Sequence, residues 1–195
     1  MADTKERILT AALELFSEKG YEAVSVQDIA VEIGITKGAL YRHYKNKRDI
    51  FASILKRMER RDAIQAMDHG LPECSLAEMP ETYRSASLDR IIAFSKAMFR
   101  YWTEDSFASR FRKMLMLEQF RDPEMGMLFQ QYLVSGPVGY LTDLFSGMNQ
   151  AHPRDAAVRL YAPMFLMYSM FDNADDPAEV TAEMDRILSN LKRNL

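Results

Sequence analysis

Apolar residues recur three and four positions apart along most of the chain, a spacing that predicts helices and almost no strands. The first apolar run lies in residues 8–16, and Gly20 follows as a stop signal. Short capped runs follow over residues 25–34 and 36–44. A longer run begins at Asn46, with basic residues on its polar side. The N-terminal third therefore predicts four helices, of which the second and third are short.

The stretch 70–80 lacks this periodicity and contains Gly70, Pro72 and Pro80, which indicates a domain boundary. We therefore predict one domain over residues 1–62 and a second over residues 63–195. Helical spacing resumes beyond the stretch, and the seventh predicted helix is interrupted around Gly136-Pro137. The predicted helices of the second domain cover residues 88–102, 107–120, 125–148, 153–171 and 177–191. The whole pattern predicts an all-α fold of about nine helices.

Composition and charge narrow the class of protein. The chain has 195 residues, 48% of them hydrophobic, enough to bury a sizeable core. Its one cysteine, the absence of a signal-peptide pattern and the lack of a membrane-length apolar run favour a cytoplasmic protein with no membrane partner. The net charge is −3, but residues 36–61 hold nine basic residues against two acidic ones. A local basic patch on an acidic protein is typical of a confined nucleic-acid contact.

The segment from Ser25 to Tyr44 has the features of a helix-turn-helix. Two short capped helices are joined at Gly34, and the second helix can enter the major groove of double-stranded DNA. Gly38 and Ala39 have almost no side chain, so the backbone can approach base edges closely. The start of the fourth helix would offer free backbone N–H groups to a phosphate.

The residues that carry this segment resemble a known family. Residues 35–47 read ITKGALYRHYKNK, residues 8–16 read ILTAALELF, and Gly20-Tyr21 follows them. These features are similar to the signature of the TetR (tetracycline repressor) family. The resemblance implies an all-α homodimer, with a three-helix DNA-binding head, a fourth connecting helix, and a divergent ligand-binding body.

Carried over position by position, the resemblance assigns expected roles on DNA. It places Tyr41, His43 and Lys47 on phosphates. It places Thr36, Lys37 and Ala39 near bases, and Gln27 on a base or a phosphate. The full set of predicted DNA-binding residues is Gln27, Thr36, Lys37, Gly38, Ala39, Tyr41, Arg42, His43 and Lys47.

The second domain is rich in methionine and aromatic residues. Such residues most often form a core, but together they can line a cavity that adapts to apolar ligands. They suggest an apolar or amphipathic small-molecule inducer of unknown identity. The predicted ligand-binding residues are Phe94, Met98, Trp102, Met116, Phe120, Tyr132 and Tyr161.

The last two predicted helices are the candidates for a homodimer interface. The first of them is apolar around much of its circumference, and the second has an apolar stripe. The predicted interface residues are Met164, Met167, Val180, Met184, Ile187, Leu188 and Leu191. The competing interpretation is that the monomer's own core consumes both stripes.

Three functions remain open at this point. The leading hypothesis is a transcriptional repressor that a ligand releases from its operator. An all-α enzyme is disfavoured because three scattered histidines and one cysteine give no metal-site spacing and no nucleophile–base pair, so we expect no catalytic residues, metal or cofactor. A third possibility is a DNA-binding regulator that is constitutive or controlled by a protein partner.

Overall fold

A computed structural model describes residues 4–72, 80–84 and 86–191, and within these ranges every regular element is an α-helix. Nine of the helices have seven residues or more, and α3 and α5 are shorter. The predicted all-α fold of about nine helices is thus confirmed. The helices are α1 (Thr4–Lys19), α2 (Val26–Glu32), α3 (Lys37–Leu40), α4 (Lys47–Asp68), α5 (Pro80–Arg84), α6 (Leu88–Glu104), α7 (Ser106–Glu118), α8 (Pro123–Leu133), α9 (Ser135–Gly147), α10 (Pro153–Asp172) and α11 (Pro177–Leu191).

The structure differs from the predicted helices in three places. The third helix ends at Leu40 instead of Tyr44, and residues 41–43 continue it as a turn. The short helix α5 has too few residues for a periodic signal. The predicted helix over 125–148 divides into α8 and α9 at Val134, just before the expected interruption. There, a Cβ on Gly136 would lie 1.8 Å from the carbonyl oxygen of Gln131, so only glycine fits.

The chain packs as two compact units. The head unit contains residues 1–61 and 106–129, and the body unit contains residues 62–105 and 130–195. The first of these boundaries lies between residues 61 and 62, one residue from the division that the sequence predicts. However, α7 and the first part of α8 join the head unit, which the sequence did not indicate. The assignment of DNA binding and ligand binding to the two predicted domains stays a prediction.

In the head unit, α1 packs along α7. Charged side chains line the edges of this contact: Arg110 donates to the Glu14 carboxylate at 2.6 Å. Gly20 ends α1 with a φ of +87°, and a Cβ there would lie 2.2 Å from Oε1 of the buried Glu118 on α7. Glycine is required at this position both by its backbone angle and by the space that Glu118 fills.

In the body unit, α10 packs against α9, α11 and α6. The rings of Phe99 on α6 and Tyr168 on α10 stack with their centroids 5.6 Å apart. Lys96 donates to Ser189 at 2.8 Å, which ties α6 to α11. No helix in the described ranges is long and apolar enough to cross a membrane.

Candidate nucleic-acid interface

The helix-turn-helix begins with a capping box on α2. The Ser25 hydroxyl accepts a hydrogen bond from the Asp28 backbone N–H, and the Asp28 carboxylate accepts from the Ser25 backbone N–H at 2.8 Å. The same carboxylate accepts from the Ser25 hydroxyl at 2.6 Å. These two hydrogen bonds from Ser25 hold the pKa of Asp28 below its usual value, and the bond from the hydroxyl has the larger effect. Residues three apart therefore fix where α2 begins, as the sequence predicted.

The turn between α2 and α3 is fixed from both sides. Gly34 has a φ of +71°, which lets the chain reverse direction within two residues. The guanidinium of Arg7 on α1 donates to the carbonyl of Ile33, the residue that follows α2, at 2.9 Å. The Thr36 hydroxyl accepts from the Ala39 backbone N–H at 3.1 Å and caps α3. The position of α3 thus follows from short-range contacts that involve few residues.

The recognition segment, residues 36–44, combines two buried anchors with an exposed face. Leu40 and Tyr44 are buried in the head unit. Ala39 is half-buried. The exposed members of the segment include six of the predicted DNA-binding residues, namely Thr36, Lys37, Gly38, Tyr41, Arg42 and His43.

Two details of this exposed face concern how closely another molecule can approach. The Lys37 ammonium lies 5.9 Å from the centroid of the Tyr41 ring, one helical turn away, so the ring holds a positive charge near it. A Cβ added to Gly38 would meet only the Thr36 hydroxyl oxygen, at 4.0 Å. The protein's own packing therefore does not require glycine at position 38.

Gln27 lies on the exposed side of α2, outside the recognition segment. Val31 follows one helical turn later and is also exposed. The structure therefore presents Gln27 to solvent, as a DNA-contacting residue requires, and its predicted contact stays a prediction.

Three cations of the basic segment 36–61 have partners inside the head unit. Lys47 donates to the backbone carbonyls of Tyr21 and Glu22, at 2.7 and 3.3 Å. Arg48 forms an ion pair with Glu124, and the hydrogen bond between the two side chains raises the pKa of the Arg48 guanidinium. Arg57 pairs with Glu6 and lies over the Phe107 ring. Charge counting along the sequence missed these partners because Glu124 and Phe107 lie fifty or more residues away from the cations that they contact.

The predicted ligand-binding residues do not form one group. In the body unit, Trp102 and Tyr132 are buried with their ring centroids 6.3 Å apart. Tyr161 is buried there too, and its hydroxyl donates to the Leu133 carbonyl at 2.8 Å. Phe94 and Met98 are half-buried in the same unit.

The other two predicted ligand-binding residues belong to the head unit. Met116 is half-buried and its sulfur lies 3.6 Å from the Arg112 guanidinium. Phe120 is 90% exposed, in the turn between α7 and α8. A side chain so open to water does not line an enclosed pocket in this conformation.

The predicted interface residues face mainly into the body unit. Ile187 and Leu191 are half-buried. The remaining five are buried, so they have little surface left for a second chain; these are Met164, Met167, Val180, Met184 and Leu188. The burial of these five side chains agrees with the competing interpretation, in which the apolar stripes of α10 and α11 pack into the monomer's own core.

A different face of α10 is open to solvent. We call it the α10 outer face, and it consists of Val158, Ala162, Phe165, Leu166 and Met170. Phe165 and Leu166 are adjacent, and the other steps between these positions are three or four residues, so together they form one continuous apolar stripe. Leu166 is the most exposed of the large ones, at 62%. The sequence showed an all-round apolar helix but not which side its neighbours leave uncovered.

Comparison with known proteins agrees with this geometry. The profile of "bacterial regulatory proteins, tetR family" matches residues 8–54. The regulator AcrR of Shigella flexneri is 44% identical over 52 residues, which are 27% of this chain and 24% of AcrR. The repressor BepR of Brucella suis is 45% identical over 56 residues, 29% of this chain and 27% of BepR. The chain thus matches only about a quarter of the length of these relatives.

Solved structures match over nearly the whole chain. A transcriptional regulator of Aquifex aeolicus superposes with a TM-score of 0.69 at 14% identity, covering 97% of this chain and 99% of that one. SmeT of Stenotrophomonas maltophilia, in complex with triclosan, gives a TM-score of 0.67 at 19% identity, covering 98% and 90%. At these identities the likeness concerns the fold. Residues 8–54 therefore match the tetR family of bacterial regulatory proteins, and the chain shares its fold with solved transcriptional regulators.

Proposed function

We propose that the protein is a cytoplasmic transcriptional repressor that binds operator DNA as a homodimer and is released by a small apolar or amphipathic ligand. The observation that carries the DNA-binding part is the exposed face of the recognition segment. Its backbone is fixed by the caps at Ser25 and Thr36 and by the buried anchors Leu40 and Tyr44. An exposed helix that is held rigidly is what major-groove reading needs.

On DNA, the exposed residues would divide into two groups. Tyr41, Arg42 and His43 carry N–H or O–H donors, which suit phosphate oxygens and set the register of the protein on the duplex. Thr36 and Lys37 lie at the start of α3, the part of a recognition helix that reaches base edges. A lysine there favours the O6 and N7 acceptors of guanine.

Repression is the proposed outcome because relatives of the head are repressors by name. BepR is one, and the negative regulator IcaR of Staphylococcus epidermidis is 45% identical over 47 residues. A repressor needs no surface for recruiting polymerase, only occupancy of the operator.

The α10 outer face supports the homodimer. Continuous exposed apolar stripes on folded proteins mark interaction sites, because water-exposed apolar area is unfavourable. A second copy of the same chain would cover the stripe with an identical one about a two-fold axis. Such a dimer presents two recognition segments, which a pseudo-palindromic operator requires. We therefore move the proposed interface from the buried stripes to the residues that α10 exposes.

The aromatic pair in the body unit supports a ligand. Trp102 and Tyr132 bring two aromatic rings together inside the body unit, and Met98, on the same helix as Trp102, is half-buried and has a flexible side chain. The neighbour SmeT was solved with triclosan, an aromatic molecule. To act as an inducer, the ligand must bind the DNA-incompetent state more tightly, because equal affinity for both states shifts nothing.

The test begins with a duplex that the protein selects from a randomised pool. We expect two protomers per selected duplex in sedimentation, and loss of binding for Tyr41→Ala with an unchanged thermal unfolding temperature. A panel of aromatic compounds, triclosan included, is then screened for stabilisation and for release of the duplex. Compounds that stabilise the protein without changing its DNA affinity would refute ligand control, and a regulator that is constitutive or controlled by a protein partner would replace it.

A further inference from the structure

Lys47, the first residue of α4, has an ammonium group with three internal contacts. It donates to the Tyr21 carbonyl at 2.7 Å and to the Glu22 carbonyl at 3.3 Å. It also lies 4.2 Å from the centroid of the Tyr21 ring, over its face. An ammonium has three N–H donors, and two carbonyls and one ring face match that number. We call these three contacts the Lys47 bridge.

We propose that Lys47 is a positioning residue that holds the α1–α2 turn against the start of α4, and not a phosphate contact. The proposal rests on the proposed DNA-binding function. It departs from the role that the sequence resemblance implies for Lys47. The ammonium would have to leave two carbonyls and a ring before it could reach a phosphate.

The bridge reaches the turn from which the helix-turn-helix begins. Residues 20–25 connect α1 to α2, and the Tyr21 carbonyl also accepts the Val24 backbone N–H at 3.4 Å. Lys47 therefore fixes this turn relative to α4 at two carbonyls that lie three and four residues before the Ser25 cap. A shift of the turn would shift α2, and the recognition segment follows α2 directly.

The ring that forms part of the bridge is itself firmly held. Tyr21 is buried and contacts Phe16 of α1 and Phe51 of α4, with centroid distances of 5.0 and 5.2 Å. The bridge thus adds a charged contact to an apolar joint that already connects α1 to α4. Hydrogen bonds that involve a charged group are among the stronger ones in proteins.

The two roles of Lys47 predict different salt dependence. Each phosphate neutralised by a protein cation contributes about 0.9 to the slope of log affinity against log salt concentration. Losing a phosphate contact therefore lowers that slope. Losing a contact that only positions the recognition segment lowers the affinity for DNA at every salt concentration and leaves the slope unchanged.

The experiment compares Lys47→Met with Lys45→Met. Lys45 is two residues away and exposed, so the control removes the same charge without touching the bridge. Amide hydrogen exchange is measured first on the DNA-free proteins. We expect the amides of residues 21–24 to exchange about tenfold faster in Lys47→Met, the equivalent of one lost charge-assisted hydrogen bond, and unchanged in Lys45→Met. If Lys47→Met does not fold, Lys47→Gln, which keeps an N–H donor without the charge, is measured in its place.

Salt titrations on the selected duplex give the second readout. We expect Lys47→Met to bind about tenfold more weakly with an unchanged salt slope. A slope lower by about 0.9, or unchanged exchange at residues 21–24, would overturn the proposal. If the unmodified protein selects no duplex at all, the proposed function fails. The exchange comparison then still decides whether Lys47 holds the turn.

Discussion

The recognition segment and α10 both expose side chains that the proposed function uses, but their exposure has different origins. In the recognition segment, hydrogen bonds within three residues of Ser25 and Thr36 set the backbone, and the backbone decides which side chains face outward. In α10, the packing of α9, α11 and α6 decides which side of an apolar helix stays open. One surface is defined locally and the other by distant parts of the chain.

This difference separates two kinds of variant. In the proposed complex, changing an exposed residue of the recognition segment would remove a contact to DNA and leave the dimer intact. Changing the α10 outer face would remove the proposed dimer and, with it, the paired binding of two recognition segments. The largest expected effect on DNA binding therefore comes from a residue that is far along the sequence from the recognition segment.

Leu166→Glu should abolish the dimer. The charge would lie in the middle of the α10 outer face, where a second chain must exclude water. Because two linked heads bind far more tightly than one, we expect affinity for the selected duplex to fall by about a hundredfold or more. Sedimentation and fluorescence anisotropy measure the two effects.

The matched control is Met127→Glu in the head unit, since Met127 is 66% exposed and Leu166 is 62% exposed. It introduces the same charge on a different exposed apolar side chain and should remain dimeric. A Leu166→Glu protein that stays dimeric would show that the interface lies elsewhere.

Arg42→Ala should weaken binding to all duplexes alike. Arg42 is exposed in the recognition segment, and we expect it to bind a phosphate. Loss of that contact would lower affinity about tenfold and the salt slope by about 0.9. Arg154→Ala, an exposed arginine of α10, is the control and should change neither quantity. An unchanged slope for Arg42→Ala would remove this residue from the interface.

Gly38→Ala should stabilise the protein and weaken DNA binding. The added methyl meets nothing closer than 4.0 Å in the protein, and alanine is the better helix former, so the free energy of unfolding should rise by about 0.5 kcal/mol. The same methyl would hold the backbone of α3 away from base edges and reduce affinity several-fold.

Gly139→Ala in α9 is the control, because its Cβ also has open space. It should stabilise to a similar degree without changing affinity for DNA. If Gly38→Ala binds the duplex as tightly as the unmodified protein does, the proposal that the α3 backbone approaches base edges closely at position 38 is wrong. Urea unfolding and anisotropy provide both measurements.

Asp28→Asn gives the smallest effect, and it depends on pH. The bonds from Ser25 lower the pKa of Asp28, so its contribution to stability is present above the carboxyl's unfolded value of about 3.9 and disappears as pH falls through the lower folded value. The stability difference between Asp28→Asn and the unmodified protein should therefore be largest near neutral pH and vanish in acid. A difference that does not change with pH would mean that the charge of Asp28 does not stabilise the cap.

The sequence predicted the head well because its signals are local. Caps, a glycine in the turn and helical spacing all act within a few residues, and the structure has a capping box at Ser25, where the predicted run over residues 25–34 begins. The same signals did not predict that Lys47 and Arg48 have internal partners. Those partners come from Tyr21 and Glu124, which only the folded chain brings near α4.

The body was predicted less completely for the same physical reason. Hydrophobic spacing correctly located α10 and α11, but burial depends on the surface that each helix meets. Met184 and Leu188 are buried by the unit's own packing, whereas Leu166 is left exposed on a helix that reads as apolar all round. No local pattern distinguishes these residues, since all three are ordinary apolar side chains in helices.

The central claim is that the exposed face of the recognition segment reads DNA sequence. The most direct test is the ratio of affinities for the selected duplex and for a shuffled duplex of the same length and base composition, measured at about 0.15 M salt, near physiological ionic strength. The account predicts a ratio of about a thousand or more, as specific DNA-binding proteins show. A ratio near one would mean that the protein only recognises the charge of DNA, and it would contradict the account.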